Sequence, residues 1–323
     1  MTTKQRVLAR LEEKRGEAVS GEVLARSLGV SRAAVWKAVR DLKAEGHAIE
    51  AVTNRGYTLR ADSQRLSAEG IAPLLRTGAP VYVYDEVAST NLTAKELAAA
   101  GAPHGTLVVS DCQTAGRGRR GRSFVSPHGT GLYLTMVVRS ALPMGDAARI
   151  TSAAAVAVCR ALESECGKHL VIKWVNDVYR AGRKCVGILT EASADMETGG
   201  VDFIVVGIGL NLREPEGGFA PEIRDIAGAI FDEGEPVPRC AIAAAVANEL
   251  FSLCGELSGP AFMEEYRARN IVPGRDVIVI QNGVQHPAHA ESITDEGHLI
   301  VRLPSGETEE LSFGEISIRG DFS

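Results

Sequence analysis

Apolar residues in the first sixty positions recur at helical spacing, in three short runs separated by turn residues. Ser20 and Ser31 stand as N-caps before the second and third runs, and Gly29 supplies the turn between those runs. The apolar stripes are Val7, Leu8 and Leu11, then Val23, Leu24 and Leu28, and then Val35, Ala38, Val39 and Leu42. This order of helix, glycine turn and helix predicts a unit whose last helix enters a DNA major groove.

Two strand-like runs follow at 48–53 and 57–60, and the Asn54-Arg55-Gly56 turn between them predicts a hairpin. Its tip carries Arg55, so the hairpin is predicted to be a wing that contacts backbone phosphates. The pattern also fits a three-helix protein-interaction module with a solvated outer face, and this alternative stays open. The predicted DNA contacts are Ser31, Arg32, Ala33, Trp36, Lys37, Arg40 and Arg55.

The middle of the chain mixes strand and helix patterns, which predicts an α+β fold. Strand-like runs lie at 81–84, 106–110, 132–138, 170–175, 185–189 and 203–211, and helical runs at 92–100, 146–166 and 238–257. From residue 272, short strands and tight turns predict a small β-barrel. We therefore predict a winged helix over 1–62, a central domain over 63–270 and a C-terminal domain over 271–323.

The segment 113–122, here called the Arg/Gly loop, reads Gln-Thr-Ala-Gly-Arg-Gly-Arg-Arg-Gly-Arg. No acidic residue occurs between Asp111 and Asp146, so the loop has no counter-charge within that segment. Clustered guanidinium groups repel one another unless an anion lies among them, and glycine allows close backbone approach. The loop therefore predicts a phosphate-bearing ligand, although a solvated basic loop without a function stays open.

The glycines of the Arg/Gly loop also fit the spacing of a dinucleotide-binding fingerprint. That fingerprint needs a helix after its last glycine, so that the pyrophosphate meets a helix N-terminus. Here turn residues at 126–131 and the strand-like run 132–138 follow instead. The pattern therefore argues against a Rossmann site.

Charge is unevenly divided along the 323 residues, whose net charge is −6. Residues 1–62 hold 12 Lys and Arg against 8 Asp and Glu, whereas the remaining 23 against 33 leave a balance of −10. A basic module on an acidic body favours nucleic-acid binding by that module. No apolar run approaches 18 residues and a charged helix opens the chain, so we expect a cytoplasmic protein with no membrane partner.

The six cysteines show no C-x-x-C pair and lie scattered in apolar stretches. This spacing argues against a zinc site, and in a cytosolic chain it argues against disulfides. We therefore expect small buried thiols and no metal site formed by a protein cluster.

Six motifs resemble those of bifunctional biotin protein ligases and biotin operon repressors, and the similarity extends over essentially the whole chain. The motifs are Ser89-Thr90-Asn91, the Arg/Gly loop, Lys173-Trp174-Val175-Asn176-Asp177, and the segments 183–189, 207–211 and 314–317. The resemblance implies a winged helix-turn-helix and a central mixed β-sheet with helices on one face, like that of class II synthetases. It also implies an SH3-like C-terminal barrel.

The resemblance implies a two-step ligase reaction with biotin and ATP as substrates and Mg²⁺ beside the ATP phosphates. The biotin carboxylate attacks the α-phosphate, and a lysine of the biotin carboxyl carrier protein domain of acetyl-CoA carboxylase then attacks the biotinyl adenylate. The implied second activity is repression of biotin synthesis. In that activity the adenylate promotes a homodimer that binds operator DNA.

The resemblance also implies roles for individual residues. The biotin contacts would be Ser89, Thr90, Asn91, Gln113, Arg117, Gly118, Arg119 and Lys184, and the ATP or adenylate contacts Arg119, Arg120, Arg122, Asn176 and Asp177. The catalytic residues would be Arg119, Lys173, Asp177 and Lys184. Two alternatives stay open: residues 89–91 fit simple helix capping as well as ligand binding, and Asp177 orients the incoming amine or acts as an ion-pair partner.

Two positions depart from the family pattern. Val175 replaces the usual proline, and residues 213–236 hold no tryptophan to cover the adenine, so Phe219 or Ile223 is expected there. A lipoate protein ligase would share the sheet and the two-step chemistry, and a non-catalytic winged-helix biotin sensor would share the fold. The intact Arg119, Arg122 and Lys184 favour a working ligase over a sensor.

Overall fold

The structure is a computed structural model that describes residues 1–52, 55–139, 147–194, 200–257, 259, 261–281, 284–312 and 314–318. The chain forms two compact units, residues 1–75 with 235–244 and residues 76–234 with 245–323. The predicted division at residues 62 and 270 stays a prediction. None of the described helices combines the length and the apolarity that a bilayer crossing requires.

The described part of the first unit contains four complete α-helices and three short strands, and its first three helices and its hairpin follow the predicted order. Its helices are α1 (Thr3–Glu13), α2 (Gly21–Leu28), α3 (Arg32–Ala44) and α4 (Ala68–Ile71), and its strands are β1 (Ala18–Val19), β2 (Ile49–Val52) and β3 (Gly56–Leu59). The strands pair antiparallel in the order β1, β3, β2. Residues 53 and 54 of the predicted hairpin turn lie outside the described residues.

Capping and apolar burial explain where the helices of this unit lie. The side chains of Ser20 and Ser31 accept hydrogen bonds from the first turns of α2 and α3. Gly29 ends α2 with a φ of 65°, which side chains with a Cβ disfavour. The predicted stripes form one buried cluster, except that Val23 is 57% exposed and Ala25 takes its place.

The second unit is built on a seven-stranded mixed sheet in the order β4, β5, β6, β10, β9, β8, β7. Its strands are β4 (Val81–Val87), β5 (Leu107–Gln113), β6 (Gly131–Val138), β7 (Val171–Lys173), β8 (Asp177–Arg180), β9 (Arg183–Ala194) and β10 (Val201–Asn211). Strands β4 and β5 are parallel, and all other neighbours are antiparallel. The helices of the second unit are α5 (Thr90–Ala99), α6 (Ala147–Cys166) and α8 (Ala261–Arg269), whereas α7 (Arg239–Gly255) begins in the residues 235–244 of the first unit and continues into the second.

Helices cover both faces of this sheet, so the expectation of helices on one face is wrong. Ala94 of α5 is buried in one cluster with Val205 of β10. On α6, Thr151 Oγ1 donates to Thr190 Oγ1 at 2.8 Å, and Thr190 pairs with Val206. Consecutive strand residues point to opposite faces, which places α5 and α6 on opposite sides. All eight residues of β6 are buried, and a sheet that is apolar on both faces needs cover on both.

A five-stranded antiparallel sheet follows in the second unit, in the order β14, β13, β12, β11, β15. Its strands are β11 (Asp276–Gln281), β12 (Val284–Ile293), β13 (Leu299–Arg302), β14 (Thr308–Leu311) and β15 (Glu315–Ile318). Strand β12 begins earlier than the predicted 291–294, because it pairs along the whole of β11. The predicted turn at Asn282 and Gly283 lies outside the described residues.

Candidate functional site

A cavity of about 360 Å³ lies within the second unit, between the central sheet, the Arg/Gly loop and the start of β15. Strands β9 and β10 contribute its floor, and the N-terminus of α5 contributes one end. All the predicted biotin contacts line this cavity. Of the predicted catalytic and nucleotide contacts, all except Arg120 line it as well.

Hydroxyl and amide groups form a hydrogen-bonded network at the α5 end of the cavity. The backbone N–H and the hydroxyl of Thr90 donate to Gln113 Oε1 at 2.9 and 3.1 Å, and Gln113 Nε2 donates to Ser126 Oγ at 2.9 Å. Thr135 Oγ1 donates to Asn91 Oδ1 at 2.7 Å and lies 2.8 Å from Thr90 Oγ1. These bonds fix the amides of Gln113 and Asn91 in one orientation, so this end of the cavity is preorganised.

Glu191 extends the network beyond the cavity. Asn91 Nδ2 donates to Glu191 Oε2 at 2.7 Å, and Lys95 Nζ donates to Glu191 Oε1 at 2.6 Å. Burial by itself would raise the pKa of Glu191, but the hydrogen bonds from Lys95 and Asn91 outweigh it and lower the pKa. Glu191 is therefore an anionic acceptor that holds Asn91 in place.

Ser89 stands at the N-cap of α5, yet its side chain makes no capping hydrogen bond. It is 2% exposed and lines the cavity. Ser20 and Ser31, at the corresponding positions of α2 and α3, both cap their helices. A buried serine hydroxyl that does not cap keeps its donor and acceptor capacity for a ligand, which favours ligand binding over simple capping.

Glycines keep the floor of the cavity open to other side chains. A Cβ on Gly207 would lie 2.1 Å from Asn91 Oδ1, and a Cβ on Gly187 or Gly209 would lie 2.9 or 2.6 Å from the ring of Phe124. The two glycines within 203–211 predicted that another group packs closely against the backbone of this strand. The approaching groups include Asn91 and Phe124 of the chain itself.

Basic side chains line the other end of the cavity. Lys184 Nζ forms an ion pair with Asp177 Oδ1 at 2.6 Å. Arg119 Nη1 donates to Asn176 Oδ1 at 3.1 Å and to the Gly314 carbonyl at 3.5 Å. The cavity therefore changes from neutral polar groups at one end to cationic groups at the other.

Two of the cations at this end are partly desolvated. Burial lowers the pKa of Arg119 and the pKa of Lys173, and the Asp177 carboxylate acts in the opposite direction on both. Arg119 nevertheless stays protonated at neutral pH. An anion interacts more strongly with cations in such surroundings than with cations in bulk water. This end of the cavity therefore suits a phosphate group.

Part of the counter-charge that the Arg/Gly loop lacks within its own segment comes from the C-terminal sheet. Arg122 Nη2 pairs with Glu315 Oε2 at 2.7 Å. Arg120 does not line the cavity, and its contact with the nucleotide stays a prediction. Its backbone is left-handed, with a φ of 55°, and its exposed side chain instead donates to the Ile280 carbonyl at 3.4 Å.

The residue from 213–236 that covers the adenine stays a prediction. Neither Phe219 nor Ile223 lines the cavity, and Ile226 does. Phe219 is buried within the protein, whereas Ile226 is 56% exposed and its carbonyl accepts a hydrogen bond from the Lys184 N–H at 2.8 Å. That bond places Ile226 beside the cationic end.

Sequence reasoning missed four residues that shape the site, namely Phe124, Ser126, Thr135 and Glu191. Thr135 had a signal, because it is a hydroxyl residue in the otherwise apolar run 132–138. A polar group in a buried strand needs a partner, which marks it for attention. The other three depend on contacts between distant segments that no local spacing indicates.

The seven predicted DNA contacts are all exposed on the first unit. Trp36 is 57% exposed, and the Arg40 guanidinium lies 5.4 Å from its ring centre. The Ser31 hydroxyl caps α3 by accepting from the Ala34 N–H at 3.1 Å. Arg55 lies in the β2–β3 connection. The outer face of α3 thus offers basic and planar groups, as a DNA-reading helix requires.

The described cysteines are all free thiols. Among the described residues, one group could hold a metal ion through three different ligand types, and it consists of Glu86, Cys112 and His128. None of the three lines the cavity. The sequence predicted no such cluster, because the fold alone brings these separated residues together.

Two parts of the chain match known protein families. Residues 84–211 match the biotin/lipoate A/B protein ligase family, and residues 3–58 match a helix-turn-helix domain.

Curated relatives and solved structures agree with these matches. The chain is 39% identical to the bifunctional ligase/repressor BirA of Bacillus spizizenii over 230 residues, which are 70% of either chain. It is 30% identical to a biotin--[acetyl-CoA-carboxylase] ligase of Mycobacterium tuberculosis, covering 75% of this chain and 91% of that one. It also resembles the biotin protein ligase of Aquifex aeolicus in complex with biotin and ATP, with 25% identity, a TM-score of 0.62 and coverage of 74% and 98%. The chain therefore belongs to the biotin/lipoate protein ligase family and, within it, to the bifunctional biotin ligase/repressors.

Proposed function

We propose that this chain joins biotin to the AMP portion of ATP with release of pyrophosphate, transfers the biotinyl group to a carrier lysine, and represses biotin synthesis in response to biotin. The observation that carries the enzymatic part is a single cavity with two chemically different ends. Ser89 and Gln113 lie at the neutral end, and Arg119 and Lys184 lie at the cationic end. Such a cavity fits a ligand with a neutral polar head and a phosphate, which is the form of biotinyl adenylate.

The neutral end would hold the ureido ring of biotin, which has one carbonyl acceptor and two N–H donors. Ser89, Thr90, Asn91 and Gln113 supply complementary hydroxyl and amide groups in this wall. Their existing hydrogen bonds fix most of these groups before the ligand arrives, which lowers the entropy lost on binding. Residues 117 and 118 of the Arg/Gly loop would close over the ligand.

The cationic end would serve the first chemical step. The biotin carboxylate must approach the α-phosphate of ATP although both are anions, and Lys184 and Arg119 would reduce that repulsion inside the cavity. Arg122 would break its ion pair with Glu315 and bind a phosphate oxygen instead. Asn176 would contact the nucleotide. Its Oδ1 accepts a hydrogen bond from Arg119 Nη1 at 3.1 Å.

The second step needs no nucleophilic serine or cysteine, because the mixed anhydride already activates the biotinyl carbonyl. The amine of the carrier lysine forms a bond to this carbonyl carbon, and AMP leaves with the electron pair of the broken C–O bond. Asp177 Oδ1 forms an ion pair with Lys184 Nζ at 2.6 Å. In this position Asp177 could orient the incoming amine or position Lys184, so both open roles fit the geometry. Lys173 would add positive charge beside them.

ATP would bring Mg²⁺, and the residues of the cavity fit that ion. Asp177 and Glu315 are the carboxylates among the described lining residues, and each is paired with a cation. Mg²⁺ commonly keeps several waters and binds through one or two carboxylates and substrate phosphates. Its charge would shield the pyrophosphate that leaves.

The carrier lysine would belong to a biotin carboxyl carrier protein domain of acetyl-CoA carboxylase. The relative from Mycobacterium tuberculosis is named for this substrate, which supports the assignment. Purified protein with ATP, Mg²⁺ and biotin should release pyrophosphate in proportion to the enzyme added. A rate no higher than that without biotin would contradict the ligase and favour a non-catalytic sensor.

The neutral end of the cavity favours biotin over lipoate. The dithiolane ring of lipoate has no hydrogen-bond donor and no strong acceptor, so it would leave the buried groups of Ser89, Asn91 and Gln113 without ligand partners. A competition assay, in which labelled biotin and labelled lipoate are offered together with ATP, distinguishes a biotin ligase from a lipoate ligase. Preferential adenylation of lipoate would contradict the proposal.

The repressor activity would depend on a homodimer that forms when the adenylate is bound. Two winged helices would then meet two half-sites of an operator through α3 and Arg55. The exposed basic face of α3 and the helix-turn-helix match over 3–58 support this part. A gel shift with operator DNA should show stronger binding when biotin and ATP are both present, and equal binding in their absence would contradict repression by biotin.

We further propose the finer architecture that the resemblance implied. The five antiparallel C-terminal strands would form an SH3-like barrel, and the central mixed sheet would be related to that of class II synthetases, although helices cover both of its faces. The domain limits 1–62, 63–270 and 271–323, and the cytoplasmic location, stay predictions.

A further inference from the structure

Outside the cavity, the ends of β4 and β5 bring together side chains of the types that bind metal ions. Glu86 and Cys112 are neighbours across these parallel strands, and His128 comes from the turn before β6. One carboxylate oxygen, the thiol sulfur and one imidazole nitrogen all lie within 4.8 Å of one another. His128 Nε2 is 3.3 Å from Glu86 Oε2.

Asp111 holds the histidine of this group from the other side. Its Oδ2 lies 3.4 Å from His128 Nδ1, and its Oδ1 accepts from the Gly129 N–H at 3.2 Å. Because His128 Nδ1 faces the Asp111 carboxylate, Nε2 is the ring nitrogen that faces Glu86. Histidines that bind metal commonly donate their second N–H to a carboxylate in this way, which fixes the ring orientation.

The ligand types favour zinc over the harder cations. Mg²⁺ and Ca²⁺ prefer oxygen ligands alone, whereas Zn²⁺ accepts one thiolate, one imidazole and one carboxylate. A zinc ion at about 2.0–2.3 Å from each ligand requires ligand atoms roughly 3.3–3.8 Å apart. The side chains of Glu86 and His128 are 52% and 56% exposed and can rotate to close the remaining distance, while Cys112 is buried.

We infer that Glu86, Cys112 and His128 form a zinc site, with Asp111 as the outer partner of the histidine. Three protein ligands leave one position of a tetrahedral zinc ion for water. The thiol binds as the thiolate, so zinc displaces its proton. The site does not depend on the ligase or repressor activity, because it shares no residue with the cavity.

Zinc at this place would hold together the two segments that position Gln113. Cys112 directly precedes Gln113 on β5, and His128 follows Ser126 by two residues. Gln113 donates its backbone N–H to the Ser126 carbonyl at 3.0 Å and its side-chain Nε2 to Ser126 Oγ at 2.9 Å. A metal ion that joins β5 to the 126–129 turn therefore stabilises the geometry of the neutral end of the cavity from outside it.

Cobalt(II), whose complexes with thiolates absorb in the near ultraviolet, tests the site directly. The full chain, freed of metal with a chelator, is titrated with Co²⁺ and then with Zn²⁺. The inference predicts a thiolate-to-cobalt band that saturates at one Co²⁺ per chain and disappears when Zn²⁺ is added. Cys112→Ser and His128→Ala should each abolish the band, whereas the matched control Cys166→Ser should retain it.

Thermal unfolding gives a second measurement that does not use cobalt. Binding to the folded state raises the midpoint, so Zn²⁺ should raise the Tm of the wild type and of Cys166→Ser but not that of His128→Ala. Glu86→Gln and His128→Ala change exposed side chains and keep the fold, which circular dichroism checks. No cobalt band in the wild type, or a band that persists in Cys112→Ser or His128→Ala, would overturn the inference.

Discussion

Lys184 concentrates positive charge where the proposed first step needs it. Its ammonium group is partly buried in the cavity and is paired with Asp177 at 2.6 Å. We expect Lys184→Gln to lower kcat for adenylate formation by about 10²–10³, because one donor that stabilises developing charge is lost. Pyrophosphate release at saturating biotin and ATP measures this effect.

A lysine outside the second unit controls for nonspecific effects of losing a positive charge. Lys14 is exposed and pairs with Glu17 at 3.3 Å at the end of α1. Lys14→Gln should leave the rate of pyrophosphate release unchanged. An unchanged rate in Lys184→Gln as well would remove that residue from the proposed mechanism.

Thr135 is the residue through which the buried network can be tested most simply. Thr135→Val keeps the shape but removes the hydroxyl that donates to Asn91 Oδ1 at 2.7 Å. The hydroxyl also lies 2.8 Å from Thr90 Oγ1, so its loss loosens two residues that line the cavity. A loss of about 1–2 kcal/mol of binding free energy corresponds to a rise of about tenfold in the Kd for biotin. Isothermal titration calorimetry measures the Kd, and kcat at saturating biotin should not change.

The conservative variant Thr135→Ser separates the hydroxyl from the methyl group. It retains the donor to Asn91 and should bind biotin within about twofold of the wild type. Equal biotin affinity in Thr135→Val and the wild type would contradict the role assigned to this network.

His47 predicts a pH dependence of stability. The residue is 8% exposed, and burial lowers its pKa to about 4 from its usual value of 6.5. The unfolded chain therefore binds more protons than the folded chain between pH 4 and 6.5, and stability falls as the pH drops through that range. After allowance for solvent screening, the loss is on the order of 2 kcal/mol.

Urea unfolding followed by circular dichroism at pH 7 and near pH 4.5 measures this contribution. His47→Gln cannot take up the proton, so its free energy of unfolding should fall less than that of the wild type. An equal fall in both proteins would show that His47 does not titrate in this way.

At the scale of elements, Gly187 of β9 and Gly209 of β10 have no side chain and therefore leave room for the Phe124 ring. A Cβ on Gly209 would lie 2.6 Å from that ring. Gly209→Ala should therefore displace Phe124 and the end of the Arg/Gly loop at a cost of about 1–3 kcal/mol. Gly255→Ala, where a Cβ would meet nothing within 4 Å, is the matched control.

Biotin binding and thermal unfolding report this effect together. Gly209→Ala should raise the Kd for biotin and lower the Tm, while Gly255→Ala should leave the Kd unchanged. Wild-type affinity in Gly209→Ala would mean that the position of Phe124 does not shape the cavity.

Helical spacing and capping residues predicted the helices of the first unit closely. The Ser20 and Ser31 caps and the Gly29 turn are local features, and local features are visible in sequence. The faces covered by α5 and α6 were not visible, because they depend on the pairing of β9 with β10. The left-handed backbone of Arg120 inside the Arg/Gly loop was not visible in the sequence either, because non-glycine residues rarely adopt it.

At the scale of the whole molecule, the resemblance located the cavity far better than any spacing did. Its motifs come from segments that begin at residues 89, 113, 173, 183, 207 and 314, and described residues of all six line one cavity. Elements separated by so much chain meet only through long-range strand pairing. The zinc ligands Glu86, Cys112 and His128 meet in the same way, and no family motif pointed to them.

The two activities should be separable by mutation. Arg40 is exposed on α3 of the first unit and belongs to no part of the cavity. Arg40→Ala should weaken operator binding by about tenfold or more, since contacts of this kind contribute about 1–3 kcal/mol. The gel shift measures operator affinity, and pyrophosphate release should equal that of the wild type. Unchanged operator affinity would remove the outer face of α3 from the DNA contact.

Transfer of biotin to a carrier tests the central claim most directly. A purified biotin carboxyl carrier domain is incubated with the protein, ATP, Mg²⁺ and biotin, and its intact mass is measured. We predict that the mass increases by one biotinyl group on one lysine, and that Lys184→Gln makes the increase far slower. A carrier whose mass stays unchanged with the wild-type protein would contradict the account.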